Sequence, residues 1–165
     1  MDGVGETNGA GAGAGSMMRV PIQVQRLPHG SDLPLPRYQT EGAAGMDLCA
    51  ALGAALVIEP NRVARVPTGI AVAIPPGYEG QVRPRSGLAG RGLIVMPNSP
   101  GTIDSDYRGE IMIVLANLGG ERLVVEPGMR IAQLVIAPVV RAAWIEVGEL
   151  PPTERGAGGF GSTGA

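Results

Sequence analysis

An all-β domain is what the sequence predicts: a single jelly-roll-like barrel or sandwich with one short helix and flexible glycine-rich ends. Three observations predict it. From about Met18 to Val147 the chain is a succession of short apolar stretches, nearly all separated by turns rich in Gly and Pro. Only Ser86-Gly87-Leu88-Ala89-Gly90-Arg91 has helical character. Aromatic residues make up 3% of the chain, so the core must be built from Val, Ile, Leu, Met and Ala. A core that poor in rings is thin for a barrel, which points to an oligomer. At 165 residues the chain suits one domain with a real core and is short for two.

The elements follow in order. Residues 1–17 form a Gly/Ala-rich leader, with six glycines among the first sixteen residues, and read as disordered. The folded part, residues 18–150, opens with Val20-Pro21-Ile22-Gln23-Val24 alternating at strand period. Further strands are expected at 56–59, 62–66, 70–74, 80–85, 93–96, 110–117, 122–125 and 130–140. Turn signals punctuate them at Glu59-Pro60-Asn61, Pro67-Thr68-Gly69, Pro75-Pro76-Gly77, Leu118-Gly119-Gly120 and Glu126-Pro127-Gly128. The helical turn begins at Ser86, a natural N-cap. Residues 151–165 form a flexible tail in which Arg155 to Gly164 carries five glycines and the only phenylalanine, Phe160. Such a tail reads either as disorder or as a flap that stacks Phe160 on a flat ligand and closes Arg155 over an anionic part.

Composition excludes whole chemistries. A net charge of -2 and a pI near 5.4 give no general attraction to nucleic acid or anionic membranes. The longest apolar runs, such as 131–140 with its Gln133 and Pro138, are too short to span a bilayer, and no secretory signal is read. One cysteine, Cys49, cannot form an internal disulfide and suits a reducing cytoplasm. One histidine, His29, leaves neither a His/Cys zinc site within one chain nor a marked Ser-His-Asp arrangement. All 13 basic residues are arginine, which removes the Walker phosphate loop and Schiff-base chemistry. Carboxylates, arginine, tyrosine, hydroxyls, backbone N–H groups and a recruited metal ion remain.

Two segments concentrate those groups. Pro97-Asn98-Ser99-Pro100 leads into Gly101-Thr102-Ile103-Asp104-Ser105-Asp106-Tyr107-Arg108-Gly109-Glu110, read as a β-hairpin tip with Asp104 and Asp106 on one side and Tyr107 on the other. By spacing alone this is an Asx-rich turn that solubilises the hairpin. Read for chemistry, one carboxylate serves as general base while the other fixes the tip. In Gln81-Val82-Arg83-Pro84-Arg85-Ser86-Gly87 a strand end, an arginine and a helix start meet, where outward N–H groups of Ser86, Gly87 and Leu88 suit phosphate oxygens. The bland alternative is a surface arginine beside a capping serine. The spacing Gly156-x-Gly158-x-x-Gly161 has neither a strand before it nor a helix after it, so a dinucleotide fingerprint is rejected.

Together these segments resemble the trimeric dUTP diphosphatase (dUTPase) family, which has five ordered motifs. Ala44-Gly45-Met46-Asp47-Leu48 is similar to the first, with Met46 where Tyr or Leu is more usual, and Pro84-Arg85-Ser86-Gly87-Leu88 to the second. Residues 101–109 are similar to the third, 126–134 to the fourth and 155–164 to the fifth. The resemblance implies hydrolysis of dUTP to dUMP and pyrophosphate with Mg²⁺, limiting uracil incorporation into DNA and supplying dUMP for thymidylate synthesis. It also implies a cytoplasmic homotrimer with shared sites, no nucleic-acid or membrane partner, and roles residue by residue. Asp104 is the general base, and Tyr107 packs under the deoxyribose. Asn98 and the backbone around Thr102, Ile103 and Met112 read the uracil edge. Arg85, Ser86, Gly87 and Gln133 hold phosphates, and Asp47 holds water on the metal ion. Arg155, Phe160, Gly161 and Ser162 belong to the closing tail. Rival expectations are a dCTP deaminase, whose family lacks this tail and differs around Tyr107, and a nucleotide-sensing regulator, which has no need of Asp104.

Overall fold

The computed structural model describes residues 19–89 and 94–159. Its strands are β1 (Gln23–Arg26), β2 (Met46–Cys49), β3 (Leu56–Ile58), β4 (Arg62–Ala73), β5 (Tyr78–Arg83), β6 (Ile94–Val95), β7 (Gly101–Ile103), β8 (Glu110–Asn117), β9 (Leu123–Val125) and β10 (Arg130–Pro138). A 3-10 turn at Pro28–Gly30 and one short helix, α1 (Ser86–Ala89), complete the described elements. Two four-stranded antiparallel sheets, ordered β1-β4-β8-β6 and β2-β10-β5-β7, and the ribbon β3-β9 form a jelly-roll-like, nearly all-β domain.

Side-chain alternation explains the core. Along β8, Ile111, Ile113 and Leu115 are buried while Met112 between them is exposed, so one face turns inward at period two. They join Val66, Ile70 and Val72 of β4, Leu48 of β2, Val82 of β5 and Leu134 of β10 in one cluster, which locks the two sheets together. The core is aliphatic, as the composition requires. On β10 both Ile131 and Ala132 are fully buried because the pairing with β2 slips there: Arg130 faces Cys49, but Ala132 already faces Leu48. The extra residue is a β-bulge, and it lets two successive side chains point inward. Asn61 takes a φ of 61° and Gly128 a φ of 75°, the left-handed conformations that tight turns between strands demand.

Several expectations are corrected. The segments 62–66 and 70–74 are one strand, β4, because Pro67-Thr68-Gly69 makes an irregularity within it rather than a turn between two strands. Pro67 has no N–H to give and Gly69 adopts a φ of 69°, so the ladder breaks locally while the direction persists. Ser86 is the first helical residue and not the cap; that place falls to Arg85, whose carbonyl accepts the N–H of Leu88 at 3.0 Å. The expected helical stretch to Arg91 reaches residues outside those described. β7 and β8 are not two arms of a hairpin: β7 pairs with β5 and β8 with β4 and β6, so residues 104–109 cross from one sheet to the other. The strand ends at Ile103, and Tyr107 N–H closes a turn on the Asp104 carbonyl at 3.2 Å. Strand alternation therefore does not orient Asp104, Asp106 and Tyr107. Beyond Pro138 the chain leaves the sheets, and Val140, Trp144, Ile145 and Leu150 are largely exposed.

Candidate active site

Three segments far apart in sequence converge where β2, β10 and β5 run side by side, with Asp47, Gln133 and Arg83 at one level of the sheet. Asp47 is mostly buried and uses both carboxylate oxygens. Oδ1 lies 2.7 Å from Arg85 Nε, and Oδ2 accepts a hydrogen bond from Arg130 Nη1 at 3.0 Å. The carboxylate thus draws two guanidinium groups to one edge. Arg130 is half exposed, so its pair with Asp47 orients more than it stabilises. Gln133 Nε2 donates to the Pro84 carbonyl at 2.9 Å, tying β10 to the strand end that carries Arg85. Its Oε1 lies where a side chain on Gly45 would begin, 2.4 Å from an ideal Cβ, so only glycine leaves room for it.

Beside this cluster is a cavity of about 190 Å³ lined by Leu35, Arg37, Asp47, Cys49 and Arg130, among others. Burial, and then the neighbouring Asp47 carboxylate, pushes the Cys49 thiol above its ordinary range, so it stays a neutral wall near neutral pH. With Arg85 and Arg130 on one carboxylate and Arg37 lining the same cavity, the edge is positive and suited to phosphate oxygens.

A second group of residues lies elsewhere. Thr102 and Ile103 on β7 pair with Gln81 and Gly80 of β5, and Asp104 follows as an exposed carboxylate where the strand stops. Asn98 lies over Gly101, its Nδ2 3.0 Å from where a Cβ would be. The Tyr107 ring rests on Gly109, and its hydroxyl donates to the Glu110 carbonyl at 3.0 Å; 42% of the residue remains open to solvent. Met112 is exposed on β8. In the register of β5, Ile103, the residue before Asp104, pairs with Gly80, whereas Asp47 and Gln133 are level with Arg83. Three residues of strand rise put Ile103 roughly 10 Å from that level along the sheet, and Asp104 follows it. Within one chain Asp104 lies toward the start of β5 and Asp47 and Gln133 lie level with its last residue, while Gly101, with Asn98 over it, pairs with Val82 between them.

Of the expected site residues, the fold brings together Asp47, Arg85 and Gln133, with the exposed Ser86 and Gly87 following Arg85. It sets Asn98, Thr102, Ile103, Asp104, Tyr107 and Met112 around β7 and β8. Arg155 sits in the exposed tail, its Nε donating to the Gly158 carbonyl at 2.8 Å. Phe160, Gly161 and Ser162 lie outside the described residues. Sequence reasoning missed Arg130, although it stands three residues before Gln133 on the same strand. It also missed the pairing of His29 with Glu110, which joins positions 81 residues apart.

A dUTPase family model matches residues 31–164. A deoxyuridine 5'-triphosphate nucleotidohydrolase from Methylocella silvestris is 58% identical over 146 residues, covering 87% of this chain and 91% of that protein. Among solved structures, a Staphylococcus bacteriophage 80alpha dUTPase with dUpNHpp superimposes with a TM-score of 0.78 at 29% identity, over 88% of this chain and 99% of its own. A dUTPase from Staphylococcus aureus phage phi11, described with a coordinated structural Mg(II) ion, gives 0.69 at 27% identity over 78% and 97%.

Proposed function

The chain belongs to the dUTPase family, and from that premise we propose how its residues divide the work of hydrolysing dUTP to dUMP and pyrophosphate. The observation that carries the division is the separation of the Asp47–Arg85–Gln133 edge from the Asp104–Tyr107 loop along β5. Arg85 and Gln133, with the turn at Ser86 and Gly87, hold the triphosphate. Phosphoryl chemistry asks for positioning and charge neutralisation more than covalent help, so the lack of a second histidine is no obstacle. Asp104 orients a water toward the α-phosphorus and takes its proton as the P–O bond forms; the bond to the bridging oxygen breaks and pyrophosphate departs. Tyr107, against Gly109, packs under the deoxyribose and leaves no room for a 2′-hydroxyl. Asn98 and the backbone at Thr102, Ile103 and Met112 meet the uracil edge. Exclusion of one methyl there is worth about 1–3 kcal/mol.

The residues fit Mg²⁺ in one way. Among the described residues no three His, Cys, Asp or Glu side chains gather, and Asp47 is engaged by two arginines. Asp47 would hold such an ion through water, the triphosphate and water being left as its direct partners. Bound there, it would supply charge neutralisation at the triphosphate.

The complete site then closes between subunits of a homotrimer, one supplying the Asp47–Arg85–Gln133 edge and another the Asp104–Tyr107 loop. The exposed arm past Pro138, with Trp144 95% exposed, supplies apolar surface for such contacts. The barrel of residues 18–150 carries the fold, and the tail of 151–165, through Arg155, Phe160, Gly161 and Ser162, closes over the nucleotide. No described helix is long and apolar enough to cross a membrane, and the free thiol of Cys49 suits a reducing cytoplasm. With Mg²⁺, the purified protein should release pyrophosphate from dUTP and spare dTTP, dCTP and UTP. Ammonia released from dCTP without dUTP cleavage would contradict the assignment.

A further inference from the structure

The start of β8 is held by side chains where its ladder with β4 is interrupted. Pro67 faces Met112 and Ala71 faces Glu110, so β4 advances four residues while β8 advances two. In the gap, Thr68 Oγ1 donates to the Ile111 carbonyl at 2.7 Å, and the Gly69 N–H donates to Glu110 Oε1 at 2.7 Å. The same Glu110 oxygen lies 2.8 Å from His29 Nε2, the chain's only histidine. His29 is delivered by the 3-10 turn Pro28–Gly30, which packs so closely on the irregularity that a Cβ on Gly30 would sit 2.5 Å from Gly69 Cα. Leu27 N–H adds a bond to the Gly69 carbonyl at 2.8 Å. One carboxylate oxygen thus joins the N-terminal segment, β4 and β8.

The backbone of that same residue receives the Tyr107 hydroxyl, at 3.0 Å on its carbonyl. Gly109 lies against the hydroxyl end of the ring, and this bond holds its tip. We propose that Glu110, clamped by His29 and the Gly69 N–H, is a positioning residue for sugar selectivity: it sets where Tyr107 stands against the deoxyribose. The inference rests on the reading of Tyr107 given above. Tyr107 touches the sugar; Glu110 acts through it. The clamp's bonds run to the N-terminal segment, to β4 and, through the Glu110 carbonyl, to Tyr107, so its loss falls on discrimination between dUTP and UTP more than on turnover of dUTP.

The test measures kcat/KM for dUTP and for UTP in the full-length protein and in four variants, with thermal unfolding and oligomeric state recorded for each. Glu110→Ala should lower the dUTP-to-UTP ratio about tenfold, as loss of a hydrogen bond to a charged group does. Glu110→Gln keeps an oxygen that accepts from Gly69 and His29, and should hold the ratio within about threefold of native. Thr68→Val weakens the same stretch without touching Glu110; it should lower thermal stability and leave the ratio near native. Tyr107→Leu should abolish the selectivity. If Glu110→Ala keeps the native ratio while Tyr107→Leu loses it, or if Glu110→Gln falls as far as Glu110→Ala, the proposal is overturned. If Tyr107→Leu also keeps the ratio, the reading of Tyr107 itself is wrong, and the proposal goes with it.

Discussion

Replacing Gly45 by alanine should damage the site while sparing the fold. An ideal Cβ at Gly45 lies 2.4 Å from Gln133 Oε1, and ordinary contact begins at 3.4 Å, so the carboxamide must retreat by about 1 Å. Such a shift carries Nε2 away from the Pro84 carbonyl, now 2.9 Å distant, and breaks that bond. The bond is worth about 0.5–1.5 kcal/mol net. Gly45 is not in the left-handed region, so alanine adopts its backbone without strain and recovers about 0.4–1 kcal/mol through the unfolded chain. The two effects nearly cancel, and the melting temperature should move by no more than about 3 °C. Activity should not be spared, because Pro84 precedes Arg85 and Gln133 itself holds phosphate in our account. A displacement of about 1 Å at a positioning group costs up to ~100-fold, and we expect kcat/KM for dUTP to fall about 10- to 100-fold, mostly through KM. Steady-state pyrophosphate release and thermal unfolding on one preparation measure both. Since Gly45 acts through Gln133, adding Gly45→Ala to Gln133→Ala should cost nothing more. A Gly45→Ala protein within about threefold of native kcat/KM would refute the reasoning, as would full additivity with Gln133→Ala.

Three further outcomes are expected. Asp104→Asn should bind a non-hydrolysable dUTP analogue normally and lose turnover by about 10²- to 10⁴-fold, and a near-normal rate would remove Asp104 as the base. Removing residues from Arg155 onward should leave the barrel folded while sharply reducing hydrolysis; equal activity would return the tail to disorder without function. Asn117→Ala should destabilise by about 3 kcal/mol, lowering the melting point roughly 6–12 °C. Asn117 is fully buried and bonds the Ile58 and Glu121 carbonyls and the Gly119 N–H, so a shift under about 2 °C would mean those groups find other partners.

How far the sequence reads depends on whether the signal is local. The bounds of strand β8 are legible residue for residue, because the apolar run Ile111 to Leu115 is a property of the segment itself, whereas which of its side chains turn inward shows only in the packed sheets. The turns at Asn61 and Gly128 are legible because their backbone angles demand those residue types. Pro67-Thr68-Gly69 misleads for a physical reason. The residues that end a strand elsewhere are here supported by Thr68 and by Glu110, a partner 41 positions from Gly69. β2 is absent from the expected strands, although its residues stand in the first motif, because four residues are too few to show a period. The orientation of Asp104 and Tyr107 was unreadable, since alternation stops at Ile103. Arg85 and Gln133 were read as phosphate ligands from the family resemblance. Their convergence with Asp47 and Arg130 is long-range, set by β10's pairing with both β2 and β5, and spacing along the chain carries no trace of it.

The central claim is that a complete site combines the Asp47–Arg85–Gln133 edge of one subunit with the Asp104–Tyr107 loop of another. Mixing subunits tests it most directly. Arg85→Ala and Asp104→Asn, each nearly inactive alone, are unfolded together in equal amounts, refolded, and assayed for pyrophosphate release from dUTP. Random assortment of subunits should restore intact pairings at roughly a quarter of the sites, with activity to match. Refolded mixtures no more active than the separate variants would place both groups in one subunit's site and contradict the account.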